Sequence, residues 1–234
     1  MSEQKEKLSK EAILEIIVAI MLGVTALLTS WASWIGSLHG GNQATNYTTS
    51  NNLAADGNAR WNEAAQNYMQ DMMTWNQINE AAINSAYAEA AGNMEDAEKY
   101  DYVLEQLMGD NCTEEFLNAI AWAFDQQEAT GEMVSPFEME GFVDSYFADA
   151  ADILAQSEEI LEQGKQDNTN GDKFGLVTVI YSVVLFLLGI VGTFKNLPNR
   201  YIVLGVAVVA FLIATIFMFT IPMPTGFDFA SYFQ

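Results

Sequence analysis

"SWIGSLHGGNQATNYTTSNN", residues 33–52, decides how this chain is built. It holds the only histidine, His39, and no Asp, Glu, Lys or Arg. The charge-free run around it extends from Ile16 to Ala55. Read as a linker, the stretch separates a membrane anchor from whatever follows. Read as helix, it carries one packing face from lipid into water. Gly40, Gly41 and "TNYTTSNN" have poor helix propensity. The spacing on either side nevertheless favours the helix.

Alternating steps of three and four give Ala19, Gly23, Ala26, Ser30, Ser33, Ser37, Gly40 and Ala44, all small. Small side chains let helix backbones approach within a bilayer, where water does not drive association. The steps continue without a skip through Tyr47, Asn51, Ala54, Asn58, Trp61, Ala65, Tyr68, Met72, Trp75, Asn79, Ala82 and Ala86. A sustained 3.5-residue repeat implies a left-handed supercoil, and Asn within it fixes register or strand number. The expectation is a nearly continuous, coiled-coil-like helix over roughly 11–91, on the order of 120 Å long at 1.5 Å per residue. The alternative is a break near 40–57.

Half of the 234 residues are hydrophobic, yet net charge is −22. Those facts conflict for one soluble globule and agree for a chain whose apolar residues collect in membrane spans. Runs at 12–37, 173–194 and 201–222 are each long enough to cross the hydrocarbon layer, which takes about 20 helical residues. The first is too long for a cleaved signal peptide and is expected to remain as a helix. Lys5, Lys7 and Lys10 precede the first run, and Lys195 and Arg200 flank the loop between the last two. Basic residues stay on the cytoplasmic side. The expected order is therefore a cytoplasmic N-terminus (1–11), a first span (12–37), and an acidic extracytoplasmic helical domain (38–172). A second span (173–194), a cytoplasmic basic loop (195–200) and a third span (201–222) follow. The last segment is an extracytoplasmic tail (223–234) whose aromatics lie back on the membrane interface. The location this implies is the cytoplasmic (inner) membrane.

Residues 38–172 carry 26 acids against three bases, Arg60, Lys99 and Lys165. Such a balance argues against nucleic acid as a partner and allows cations at the acidic surface. "NMEDAEKYDYVLEQLM" reads as helix, with a turn at "GDN". Thr113 is placed to cap the next helix, with Glu114 and Glu115 favourable in its first turn. Ser135-Pro136-Phe137-Glu138 is a capping box with proline at the first helical position. The helix it opens carries Phe142, Tyr146, Ala150, Ile153, Leu154 and Ser157 on one face. It is expected to end near Gly164, with "KQDNTNGD" as the loop back to the membrane. The fold class is all-α: three transmembrane helices and an acidic antiparallel bundle built on the long first helix.

The junction "SWASWIGSLHGGNQA" and the re-entry "DKFGLVTVIYSVVLFLLGI" resemble an uncharacterised family of three-pass bacterial membrane proteins. The matching positions are Trp31, Leu38, Gly41, Gln43 and Ala44, then Asp172, Phe174, Leu176, Thr178, Val179, Leu185, Phe186, Gly189 and Ile190. The resemblance implies the same plan: one span, an extracytoplasmic helical region, two further spans. Members often carry an aromatic where this chain has His39, so no role for His39 follows from it. It implies no activity and no ligand.

No phosphate loop, GxSxG or HExxH is present, and one cysteine, Cys112, forms no intrachain disulfide or multi-cysteine metal site. "DNTNGD" at 167–172 is oxygen-rich but lacks EF-hand spacing. No catalytic, cofactor-binding or metal-ligating set is expected, and no cofactor. Glu15, inside the first span, and His39, at its end, are the candidates for an ion path or a pH sensor. The expected function is non-enzymatic: a membrane protein whose outer domain self-associates as a homo-oligomer. The alternative is a cation channel or transport subunit whose small polar pore lining comes from the first helix. The expected partners are a second copy of the chain and the lipid bilayer.

Overall fold

The computed structural model describes residues 9–233; Lys5 and Lys7 of the N-terminal basic cluster lie outside them. Five α-helices account for most of the chain: α1 Lys10–Ala90, α2 Met94–Asn111, α3 Glu114–Thr130, α4 Phe142–Ile190 and α5 Leu197–Thr220. Short 3-10 turns occupy Pro136–Glu138, Val191–Thr193 and Phe229–Phe233, and no strand occurs among the described residues. α1, α4 and α5 each contain a stretch long and apolar enough to cross a membrane.

α1 runs unbroken for 81 residues through Gly40, Gly41 and the polar junction. Its threonines there bond back to their own helix: Thr45 Oγ1 donates to the Gly41 carbonyl and Thr48 Oγ1 to that of Ala44. Weak propensity is overridden by packing, as is usual for helices in folded proteins.

Contacts divide the chain into two compact units. One comprises residues up to Thr49 together with those from Glu159 onward; the other is Ser50–Glu158. In the first, α1, α4 and α5 enclose Leu14, Val184, Leu188, Leu204 and Ala207 toward one end. Ala32, Ile35, Phe174, Val177, Tyr181, Ala214 and Met218 fill the other. Tyr181 is fully buried, and its hydroxyl lies 2.9 Å from Thr215 Oγ1. Thr215 in turn donates to the Phe211 carbonyl, so no polar group is stranded. Outside this interior the three helices present large apolar side chains, Ile20, Leu27, Phe186, Ile216 and Phe219 among them.

In the second unit, the α1 segment, α2, α3 and the α4 segment close around Trp75, Ile78, Phe116, Ala119, Ile120, Ala123 and Phe142. Complete burial of a side chain like Phe116 stabilises by about 1.5–3 kcal/mol. Thr113 caps α3, accepting from the Phe116 N–H at 3.2 Å.

Three expectations for this region need correction. "GDN" is not a turn: α2 continues to Asn111, and the chain turns at Cys112. The capping box at Ser135 forms, but it opens only the 3-10 turn Pro136–Glu138. Gly141, at φ +78°, follows, and α4 starts at Phe142. A left-handed residue cannot continue a helix, so the chain re-aims there. Most consequentially, α4 does not end at Gly164. It continues through "KQDNTNGD" into the apolar stretch without a break. Gly164 is a point of close approach instead: a Cβ there would lie 2.6 Å from Tyr47 Cδ1 and 3.2 Å from Asn46 Cβ.

Candidate functional site

In the first unit the neutral junction of α1 faces the polar stretch of α4. His39 is fully buried, its ring stacked on Phe174 with centroids 5.8 Å apart. Its Nδ1 lies 2.8 Å from Asp167 Oδ1, and its Nε2 lies 3.1 Å from the Pro222 carbonyl oxygen. A carbonyl only accepts, so Nε2 carries a hydrogen and donates. The Nδ1–Oδ1 contact is a second hydrogen bond of the ring. Asn46 Nδ2 donates to the other carboxyl oxygen of Asp167 at 3.1 Å.

This cluster also holds the C-terminal segment. Asn42 Nδ2 donates to the Thr225 carbonyl, one turn beyond His39. Phe227 and Phe229 pack edge-on or tilted against Trp31 and Trp34, with centroids 5.9–6.2 Å apart. The neutral run of α1 thus binds α4 by close approach and buried hydrogen bonds, and the tail by backbone carbonyls and aromatic edges. A charge lacking a partner would be costly at such a seam.

The arrangement limits the chemistry open to His39. Both ring nitrogens are engaged, so the imidazole presents no free lone pair to a metal. The dyad with Asp167 also has no nucleophile, because Nε2 is spent on a backbone carbonyl. Glu15 is not brought near it. Glu15 Oε1 lies 4.0 Å from Arg200 Nη1, beside the 195–200 loop. Arg200 also donates to the carbonyls of Phe194 and Gly192, closing the end of α4. The two sequence candidates sit 24 residues apart on one helix, roughly 36 Å.

The small-residue face has a definite place. Within the chain, the buried seam of α1 lies one residue earlier than the stripe. It includes Thr25, Ala32 and His39 in the first unit. In the second unit it recurs every seven residues at Ser50, Gly57, Ala64, Asp71, Ile78 and Ser85. Ser50 and Ser157 exchange hydrogen bonds with each other's carbonyls at 2.8 and 2.9 Å. Ala19, Gly23, Ala26, Ser30, Ser33, Ser37, Gly40 and Ala44 are all exposed. Of the larger stripe residues, Trp75 is buried, Ala65 and Tyr68 are half-buried, and Trp61 and Met72 are exposed.

Two acids matter most. Asp167 belongs to the "DNTNGD" stretch, which reads as a loop in the sequence and lies within α4. Asp71 is buried on the seam, accepting from the Tyr146 hydroxyl at 2.5 Å. Burial pushes its carboxyl above the usual carboxylate range, and the Tyr146 bond offsets part of that. Burial, then the bond to Asp71, pushes the Tyr146 hydroxyl well up. A seven-residue spacing to Ala64 and Ile78 was the available signal.

The fold and this junction define an all-helical architecture with three spans' worth of apolar helix and a buried polar clamp. A scan of protein-family models, a search of curated proteins and a search of solved structures each return no match.

Proposed function

We propose that the chain is a three-pass membrane protein that self-associates through the exposed small-residue face of α1 and carries an acidic helical unit outside the membrane. The basic 195–200 loop lies on the cytoplasmic side in this reading, in keeping with the bias of lysine and arginine. The observation that carries it is the exposure of all eight small residues from Ala19 to Ala44, beside an intrachain seam that uses a different row. Between helices in lipid, association depends on close backbone approach, and such a row permits it. Large exposed apolar residues on the α1 segment of the second unit, Trp61, Met69 and Met73, favour a partner in water as well. The membership suggested by the junction and re-entry segments is part of the same reading.

The test is mass determination of single particles in nanodiscs of native lipid. Multiples of the 25.9 kDa chain are expected, and Gly23→Leu with Ser33→Leu should shift them to the monomer. Leu27→Ala, on the neighbouring lipid-facing row, should not. A monomeric parent at every concentration refutes self-association.

The exposed hydroxyl row Ser30, Ser33 and Ser37 also supports the second reading, a cation channel lined by copies of α1. Its test is cation flux in liposomes, with Ser33→Leu and Glu15→Gln reducing it; a parent without flux refutes it.

A further inference from the structure

The second unit contains a cavity of about 360 Å³, where α1, the α2–α3 turn and the start of α4 meet. Its size falls in the range of small-molecule sites. Asp71 lines it, and is only 8% exposed. One of its oxygens accepts from Tyr146; the other has no hydrogen-bond partner among the described residues and stays accessible from the cavity. Among the described residues no base is paired with it. Arg60 is held by Asp56 and Asp149, at 3.4 and 2.6 Å, and Lys99 lies over the Tyr100 ring. A mostly buried carboxyl that keeps one acceptor oxygen open to a cavity is suited to a charged donor placed there. The rest of the wall supplies acceptors and ring faces: Asn67, Gln70, Glu115, Phe142 and Tyr146.

We propose that this cavity is a binding site for a small organic cation, with a primary ammonium group seated against Asp71. The ammonium donates one hydrogen bond to the free carboxyl oxygen and others to the amide carbonyls of Asn67 and Gln70. Glu115 receives a second positive group where the ligand has one. The face of an aromatic ring at the wall adds a cation–π contribution. A metal ion is a poorer occupant, because no three His, Cys, Asp or Glu side chains converge among the described residues. A chain of net charge −22 also concentrates cations around it before they bind.

The site is independent of self-association. Its test uses the full chain in nanodiscs, with putrescine as probe, 1,4-butanediol as the neutral analogue, and calorimetry as the readout. Saturable putrescine binding and silent butanediol are expected. Asp71→Asn should weaken the constant by about tenfold or more, the loss of a charge-assisted hydrogen bond. Glu132→Gln, an exposed acid outside the cavity wall, should leave it unchanged. Tyr146→Phe keeps the carboxyl and the ring, and should still bind. Absence of saturable binding by the parent overturns the proposal. So does an equal loss in Asp71→Asn and Glu132→Gln, which would mean bulk charge screening, or a loss in Tyr146→Phe as large as in Asp71→Asn.

Discussion

Gly57→Ala tests whether the α1 seam is as close as described. In a helix interior, alanine is favoured over glycine by about 0.8–1.0 kcal/mol. If position 57 were an ordinary helical site, the substitution would stabilise by about that amount. The structure places a Cβ there 2.8 Å from Leu154 Cγ, 2.9 Å from Leu154 Cδ2 and 3.3 Å from Ile153 Cγ2. Carbon atoms are most favourable at about 3.5–4.0 Å. Relief therefore needs a displacement approaching 1 Å, and Leu154 Cγ sits too near its own backbone to swing aside. Overpacking of this kind costs about 1–3 kcal/mol. The net effect is a destabilisation of up to about 2 kcal/mol. Gly109→Ala supplies the opposite sign in the same unit. Nothing lies within 4 Å of its Cβ position, in the last turn of α2, and it should stabilise by up to about 1 kcal/mol. Thermal and denaturant unfolding of the two variants, with amide exchange across residues 50–64, gives the comparison. An equal gain from both substitutions would refute the close seam.

Two further outcomes concern the buried acids. Asp167→Ala leaves the His39 imidazole and the Asn46 amide without their acceptor and should cost about 1–3 kcal/mol, the range for leaving a buried hydrogen-bonding group unsatisfied. Amide exchange over 222–230 should accelerate at least about tenfold as the clamp on the tail weakens, and unchanged exchange there would contradict the clamp. For Asp71, burial raises the folded-state pKa above its ordinary value, so the native state binds more protons than the unfolded chain between the two values. Stability is then lost as pH rises from the ordinary carboxylate range through the raised folded value. Asp71→Asn removes that loss, so its melting temperature should fall less than the parent's over this interval.

The sequence by itself determined the three apolar helices, the all-helical class and the local caps at Thr113 and Ser135. Each depends on residues close together in the chain: hydrophobic run length, propensity, or a hydroxyl three residues from an amide. It also contained the 3.5-residue period of α1, because that period is a property of one helix. The phase of the intrachain seam required the partner helix. His39, Ser50, Asp71 and Ser85 are polar, and hydropathy alone turns them outward. They are buried because α4, the tail and α2 bring Asp167, Pro222, Ser157, Tyr146 and Asp101 to them. Gly164 reads locally as a helix end and is instead a crossing point, since only the proximity of Tyr47 explains the missing side chain. The neutral stretch at 33–52 is the clearest case. Its lack of charge was plain in the sequence, but only tertiary structure showed what requires it: a second polar helix and the chain's own tail packed against it, where an unpaired charge would be desolvated.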